Sequence, residues 1–315
     1  MKPIFLVLSM LLSFPVFSQE IPTFHDQAGF HPQHTLYLNA HTPDSEREKW
    51  VNRITLGGYS VAALYLGTSW YANEELGHFR FFDDANEWKQ MDKVGHAFGG
   101  YHASRWMIDL YKWSGLPKEQ AIWRGSLFGF AAMSSIEVLD GFAKKWGASW
   151  TDVGANLIGS GLAAGNELLW HEQRLQLKVS YIQSPFVGQE TYEDLFGNSY
   201  AQWFLKDYNG QTLWLSVRVH SFLPEGSFKR HYPRWLNLAV GYGAEGLIGG
   251  YGEEEWEVIR QREYRQFYLA LDIDLTNIQT NSGFLNTLFS IIGMVRIPGP
   301  ALQLDKSGVR FQPFR

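Results

Sequence analysis

Three segments of this chain each carry a pair of polar residues at helical spacing, in otherwise apolar surroundings. Residues three or four positions apart lie on the same face of a helix. The pairs are Asp92 with His96, Glu137 with Asp140, and Asp152 with Asn156. If the ends of the three helices meet, one imidazole, up to four carboxylates and one amide converge on a common point.

Such a cluster has three readings, and the sequence leaves all of them open. Carboxylate oxygens with one imidazole suit a divalent ion such as Mg²⁺, Mn²⁺ or Zn²⁺. The ligands predicted for that ion are Asp92, His96, Glu137 and Asp152. A carboxylate beside a histidine can instead act as an oriented general base, and Asp140 is the candidate. The third reading is a polar network that fixes helix register, with Lys93 as counter-charge.

Four helical segments are predicted to position these groups. The first begins near Asp44, and its stretch Ile54–Asn73 carries no charged residue. A helix of about twenty residues is long enough to cross a bilayer of roughly 30 Å. Glycine and hydroxyl residues make this stretch only marginally hydrophobic, and its basic flank lies on the N-terminal side, contrary to the positive-inside preference for an exported chain. We therefore predict a helix packed in protein or against an outer-membrane surface.

The other three helices are delimited by turn residues and rich in small side chains. They are predicted over residues 92–113, 117 to about 142, and 150 to about 170. In the last helix two sets of residues are spaced by four: Ala155, Gly159 and Ala163, and also Gly161 and Gly165. Such faces allow helix backbones to approach closely.

After Leu175 the pattern changes to the alternation that is typical of β-strands. It is clear over residues 212–222 and 267–276, and weaker over 177–182, 235–240 and 302–311. The apolar stretch 283–297 is predicted to form a short helix that covers the sheet. Residues 241–246 match G-x-G-x-x-G, but no helix follows them, so we interpret them as a glycine-rich turn and not as a dinucleotide site.

The N-terminus predicts export. Lys2, a short apolar run and the sequence Val16-Phe17-Ser18 fit a signal peptide over residues 1–18, followed by an extended arm over 19–43. The chain has 0 Cys, so neither a disulfide framework nor a cysteine for a lipid anchor is expected. A net charge of -5 without a basic run argues against a nucleic-acid partner.

The motifs DKVGH, EVLD and SWTDVGANLIG resemble the YfiM-like family of predicted periplasmic lipoproteins and, more distantly, the VanZ-like membrane proteins. Both families carry an Asp-Lys-x-x-His start, a later Glu, and an Asp with Asn or a small residue ahead of a glycine. The matching residues are Asp92, Lys93, His96, Glu137, Asp140, Asp152, Asn156 and Gly159. The resemblance covers about residues 90 to 170 and implies an envelope protein with no established reaction. The absence of cysteine and the long C-terminal part depart from the family; this longer form is similar to versions from Bacteroidota.

These observations predict an α+β protein. A four-helix, membrane-associated bundle over residues 44–174 is followed by an antiparallel β module over 175–315. The predicted function is that of a structural or accessory envelope subunit with a buried Asp/His/Glu centre, in contact with a membrane lipid surface and with other envelope proteins. The alternative is a metal-dependent hydrolase or transferase that acts on lipid or cell-wall material.

Overall fold

The computed structural model describes residues 45–70, 75–144, 146–249, 263–278 and 280–315. The predicted signal peptide and the predicted arm lie outside these ranges. Within them the chain is α+β, with nine helices and one six-stranded sheet. The predicted fold class is therefore confirmed at this level.

Four long helices come first along the chain. They are α1 (Ser45–Trp70), α2 (Met91–Trp113), α3 (Lys118–Asp140) and α4 (Trp150–Leu169). Five shorter helices follow: α5 (Glu193–Phe196), α6 (Tyr200–Lys206), α7 (Val219–Phe222), α8 (Ser227–His231) and α9 (Gly283–Ile292). A 3₁₀ turn, Glu87–Gln90, directly precedes α2. The predicted boundaries of α2, α3 and α4 lie within two residues of these.

Helices α2, α3 and α4 pack tightly against one another, whereas α1 lies at the edge of this group. Val51 of α1 is buried against Met107 and Tyr111 of α2, but Trp50 and Leu64 are exposed. The predicted four-helix bundle is thus three closely packed helices and one peripheral helix. No helix among the described residues combines the length and the apolarity needed to cross a membrane.

Close packing of the three helices depends on glycine at particular positions. A Cβ on Gly159 of α4 would lie 1.9 Å from the carbonyl oxygen of Ala97 on α2. A Cβ on Gly129 of α3 would lie 2.4 Å from the backbone nitrogen of Ser104. These backbones are therefore nearly in contact. The second predicted small-residue face is wrong, because a Cβ on Gly161 or on Gly165 would meet nothing within 4 Å.

The sheet is antiparallel throughout, in the order β1-β2-β3-β4-β5-β6. Its strands are β1 (Leu175–Tyr181), β2 (Gln211–Val217), β3 (Leu236–Glu245), β4 (Tyr264–Ile273), β5 (Ala301–Asp305) and β6 (Gly308–Gln312). On the outer edge of β1, Val179 pairs with the segment that follows α9: its N–H donates to the carbonyl of Met294 at 2.9 Å.

Two strand predictions and one turn prediction need correction. The strand predicted over 302–311 is a hairpin of β5 and β6, whose turn includes Gly308 at φ 107°. The strand predicted over 212–222 ends at Val217, and α7 follows it. The glycine-rich turn predicted at 241–246 is mostly strand, because β3 extends to Glu245. Gly241 is required there by packing, since a Cβ on it would lie 2.7 Å from the ring of Trp214.

Helices and sheet share a hydrophobic core. Met91 at the start of α2 is fully buried against β1, β2 and the end of β3, together with Val179, Leu213, Ala244 and Leu247. At the far side, the Arg105 guanidinium of α2 donates to the carbonyl and the hydroxyl of Ser290 on α9, at 2.5 Å and 2.9 Å. The start of α2, which carries the first polar pair, is therefore fixed by the sheet.

Candidate functional site

A loop that precedes α2 carries a carboxylate to the start of α4. Residues 77–82 run alongside residues 141–144 and 146–148 and are held by backbone hydrogen bonds, among them Arg80 N–H to Gly141 O at 2.8 Å and Phe82 N–H to Ala148 O at 2.9 Å. Asp84 then accepts hydrogen bonds from the hydroxyls of Ser149, at 2.6 Å, and Thr151, at 3.0 Å.

Lys93 links three segments of the chain through its ammonium group. Its Nζ lies 2.6 Å from Asp84 Oδ2, 3.0 Å from Asp92 Oδ2 and 2.8 Å from Asp152 Oδ1. These carboxylates come from the loop before α2, from α2 itself and from α4. The ion pairs therefore tie the N-terminal ends of two helices to the preceding loop.

The His96 ring lies between α4 and α3. Its Nδ1 is 3.1 Å from Asn156 Oδ1, and since an amide oxygen only accepts hydrogen bonds, Nδ1 carries the proton. Its Nε2 then faces two carboxylates, 3.5 Å from Glu137 Oε1 and 3.9 Å from Asp92 Oδ1. In the neutral ring Nε2 has a lone pair, which is the form that binds a metal.

Within the part of the chain that the structure describes, several buried atoms of this group lack a hydrogen-bond partner. Glu137 is only 3% exposed; its Oε2 accepts the backbone N–H of Ser149 at 3.0 Å, whereas its Oε1 accepts none. Asn156 Nδ2 has no acceptor, and Asp152 Oδ1 lacks hydrogen-bond geometry although it lies 2.8 Å from Lys93 Nζ. Buried polar atoms are nearly always partnered, so these three call for an explanation.

One atom from each of Asp92, His96 and Asp152 lies within 4.8 Å of the others. Two ligands of the same ion, each about 2.1–2.4 Å from it, are separated by at most about 4.8 Å. The three side chains are therefore close enough together to bind one cation. A hydrogen bond from the Tyr208 hydroxyl to Asp92 Oδ1, at 2.8 Å, orients the first of them. We call Asp84, Asp92, Lys93, His96, Glu137, Asp152, Asn156 and Tyr208 the polar centre.

Negative charge exceeds positive charge in the polar centre, and the pKa values reflect this. Burial raises the pKa of Glu137 to about 7. Burial and the neighbouring Asp92 charge raise the pKa of Asp152 to about 8. Burial alone would lower the pKa of His96, but the carboxylates of Asp92 and Asp152 outweigh it and raise that pKa. Burial is the largest cause of both raised values, so near neutral pH part of Glu137 and most of Asp152 is protonated.

Asp140, the predicted general base, lies beside the polar centre. It is not one of the three residues whose ligand atoms lie within 4.8 Å of one another, which are Asp92, His96 and Asp152. Its Oδ1 accepts a hydrogen bond of 2.5 Å from Trp146 Nε1. Its charge still acts on the site, because it contributes to the raised pKa of Glu137. Of the two carboxylates paired on α3, Glu137 is the one that faces His96.

Two members of the polar centre were not predicted from the sequence. Asp84 lies in an irregular loop with no periodic pattern, and Tyr208 is separated from Asp92 by 116 residues. Ser149 caps α4, because its Oγ accepts the N–H of Asp152 at 3.1 Å. Its further bonds to Asp84 and Glu137 depend on tertiary packing, for which the sequence carries no signal.

Residues 80–167 match the model of a protein family described as "Predicted periplasmic lipoprotein (DUF2279)". The matched region contains every member of the polar centre except Tyr208. No curated protein and no solved structure matches the chain. The family description agrees with the export predicted from the N-terminus, to the periplasm or the outer membrane.

Proposed function

We propose that this chain is an accessory subunit of the cell envelope whose helices are joined around a divalent cation bound by Asp92, His96 and Asp152. The observation that carries the proposal is the buried Glu137 Oε1, which has no hydrogen-bond partner among the described residues and lies 3.5 Å from His96 Nε2. A purely structural network would be expected to satisfy that atom, because a partly satisfied buried network costs stability. A bound cation, or water held by it, would complete the network.

The charges of the polar centre favour a cation over a neutral ligand. Four carboxylates face one lysine and one histidine, and Lys93 already pairs with Asp84, Asp92 and Asp152. A divalent ion would compensate the charge that remains. Carboxylate oxygens with a single imidazole suit Mn²⁺, Mg²⁺ or Zn²⁺.

The surroundings of the ligands also support a metal centre. Metal-bound histidines usually donate their second ring N–H to a polar partner, which fixes the ring and the tautomer. Asn156 provides that partner for His96, at 3.1 Å. Tyr208 provides the corresponding hydrogen bond to Asp92, at 2.8 Å.

Cation affinity is expected to rise at least tenfold between pH 6 and pH 8. Below its raised pKa of about 8, Asp152 is protonated, and a cation that binds its carboxylate has to displace that proton. Each proton displaced contributes up to about tenfold in affinity per pH unit. Calorimetric titration of the full chain with Mn²⁺ and with Zn²⁺ at both pH values measures this.

The control for that titration is a histidine of the same chain that lies on the surface. His96→Gln is expected to reduce Mn²⁺ affinity by at least tenfold, while His231→Gln, at an exposed position on α8, leaves it unchanged. Equal affinity at pH 6 and pH 8, or equal affinity in both variants, would contradict a cation site at the polar centre.

A second candidate function is metal-dependent hydrolysis or group transfer on lipid or cell-wall material. The observation that favours it is again Glu137, whose free Oε1 and pKa of about 7 suit a general base at neutral pH.

The test of this candidate is an activity assay. With Mn²⁺ present, release of products from phospholipid vesicles and from purified peptidoglycan is measured for the wild type. Glu137→Gln is expected to lower the rate by about 10²–10⁴-fold, and Asp140→Asn tests the base predicted from the sequence. Absence of turnover in the wild type on both substrates rules this candidate out.

We further infer that the chain is a long YfiM-like protein of the Bacteroidota type, located at the outer membrane. The support is the order of three motifs that surround the polar centre, together with the family match over residues 80–167. Contacts with lipid and with other envelope proteins follow from this proposal.

A further inference from the structure

The sheet has its polarity reversed relative to a sheet in water. Along β3, β4 and β5, buried side chains that are polar, small or aromatic alternate with side chains that are mostly apolar and exposed. Six outward aliphatic residues of these strands are 41% to 61% exposed: Leu238, Val240, Leu269, Leu271, Leu302 and Leu304. We call these six residues the apolar sheet face.

The polar side chains on the other side of the sheet are buried, and several of them pair with one another. Lys178 on β1 and Asp272 on β4 form an ion pair of 2.6 Å, and both side chains are 0% exposed. Ser216 on β2 also donates to Asp272, at 2.6 Å. On the same side of the sheet, Cζ of the Arg296 guanidinium lies over the Trp214 ring, 4.2 Å from the ring centroid. Strands β1 and β4 are separated by two others, so the sheet must be strongly curved for the ion pair to form.

We propose that the apolar sheet face lies against the acyl chains of an anionic phospholipid membrane. Leu304 lies opposite Phe267, which is opposite Tyr242. The two neighbouring cross-strand rows are entirely aliphatic: Leu238 opposite Leu271, and Val240 opposite Leu269, which is opposite Leu302. A protein partner normally forms about one hydrogen bond per 100–200 Å² of interface. These rows offer no side-chain donor or acceptor, and hydrocarbon requires none.

The margin of the face indicates the type of lipid. The segment Ser227–Trp235 leads into β3 and carries three basic residues, Lys229, Arg230 and Arg234. Its Phe228 and Trp235 are 69% and 44% exposed. Exposed aromatic and basic residues together are typical of the membrane–water boundary, where the cations attract anionic headgroups.

The position of that segment is fixed relative to the face. The carbonyl of Trp235 accepts the N–H of Asp274 at 2.8 Å, which continues the pairing of β3 with β4 by one residue. Lys229 pairs with Glu225 at 2.5 Å, whereas Arg230 and Arg234 are exposed at the surface. The basic margin and the apolar sheet face therefore adjoin each other, as insertion into one leaflet requires.

Because the chain has 0 Cys, a single cysteine can be labelled without background. The full chain with Leu269→Cys carries an environment-sensitive fluorophore and is mixed with vesicles of phosphatidylcholine alone or with 30% phosphatidylglycerol. On the anionic vesicles the fluorescence is expected to rise about threefold, and brominated acyl chains are expected to quench it. Glu190→Cys, at an exposed position outside the sheet, is the matched control and should show neither effect. Near-UV circular dichroism verifies that both labelled variants are folded.

A second variant tests the basic margin without touching the apolar sheet face. Arg230→Ala is expected to weaken binding to the anionic vesicles by about fivefold, which corresponds to about 1 kcal/mol for one cation near such a surface. A label at position 269 that does not respond to vesicles would overturn the proposal. The proposal would also be overturned if the fluorescence of the label were already high before vesicles are added and the protein had twice the mass of one chain. A second copy of the chain would then cover the apolar sheet face. Equal binding of the wild type to both vesicle types would overturn the preference for anionic lipid.

Discussion

Replacing Lys93 by methionine is expected to destabilise the full chain by about 3–5 kcal/mol, because removal of one partner leaves buried charges uncompensated. The ammonium group is the shared partner of Asp84, Asp92 and Asp152, at 2.6 Å, 3.0 Å and 2.8 Å. Methionine keeps most of the side-chain volume, so the loss measures charge and not packing. The midpoint and slope of urea unfolding, followed by circular dichroism, give the difference in unfolding free energy.

The control for this variant is a lysine of α1 that also forms an ion pair. Lys49 pairs with Glu46 at 2.6 Å, but its side chain is 57% exposed. Exposed pairs of this kind contribute at most about 0.5 kcal/mol, so Lys49→Met should be almost neutral. An equally small loss of unfolding free energy in Lys93→Met and Lys49→Met would contradict this prediction. The ion pairs of the polar centre would then not stabilise the contact between the loop and the N-terminal ends of α2 and α4.

Replacing Gly159 by alanine is expected to destabilise the chain by about 3 kcal/mol, the upper end of the usual cost of overpacking. The added methyl group would lie 1.9 Å from Ala97 O and 2.8 Å from Tyr101 N, both on the backbone of α2. Backbone cannot rotate away as a side chain can, so α2 and α4 must separate. Thermal and urea unfolding measure the loss, and Mn²⁺ affinity should fall with it because the polar centre spans these two helices.

Gly161→Ala is the matched control in the same helix. A Cβ at this position meets nothing within 4 Å, so only helix propensity changes. Alanine is favoured over glycine inside a helix by about 1 kcal/mol, and the variant should be neutral or slightly more stable. If Gly159→Ala and Gly161→Ala had the same unfolding free energy, close packing of the α2 and α4 backbones would be contradicted.

The sequence predicted the helices that carry the polar centre because a period of 3.6 residues is a local property. Asp92 with His96, and Asp152 with Asn156, were paired by spacing alone, and each pair does lie on one side of its helix. Spacing does not identify the neighbour of a helix. Gly161 and Gly165 repeat at the same interval as Gly159 and Ala163, yet only the latter face packs against α2.

Contacts between distant parts of the chain were beyond prediction. Lys178 and Asp272 are 94 residues apart, and neither strand alone shows that its polar side is the buried one. Alternation gives the period of a strand, but not which face meets water. The turn between β5 and β6 was missed although Gly308 is a turn signal, because apolar residues continue on both sides of it.

The most direct test of the cation centre is anomalous diffraction from crystals of the full chain soaked in Mn²⁺. We expect one strong peak about 2.1–2.4 Å from oxygens of Asp92 and Asp152 and from Nε2 of His96, and no peak there in crystals of His96→Gln. A map with no peak between these three side chains in the wild type, with Lys93 still bound to its carboxylates, would contradict it.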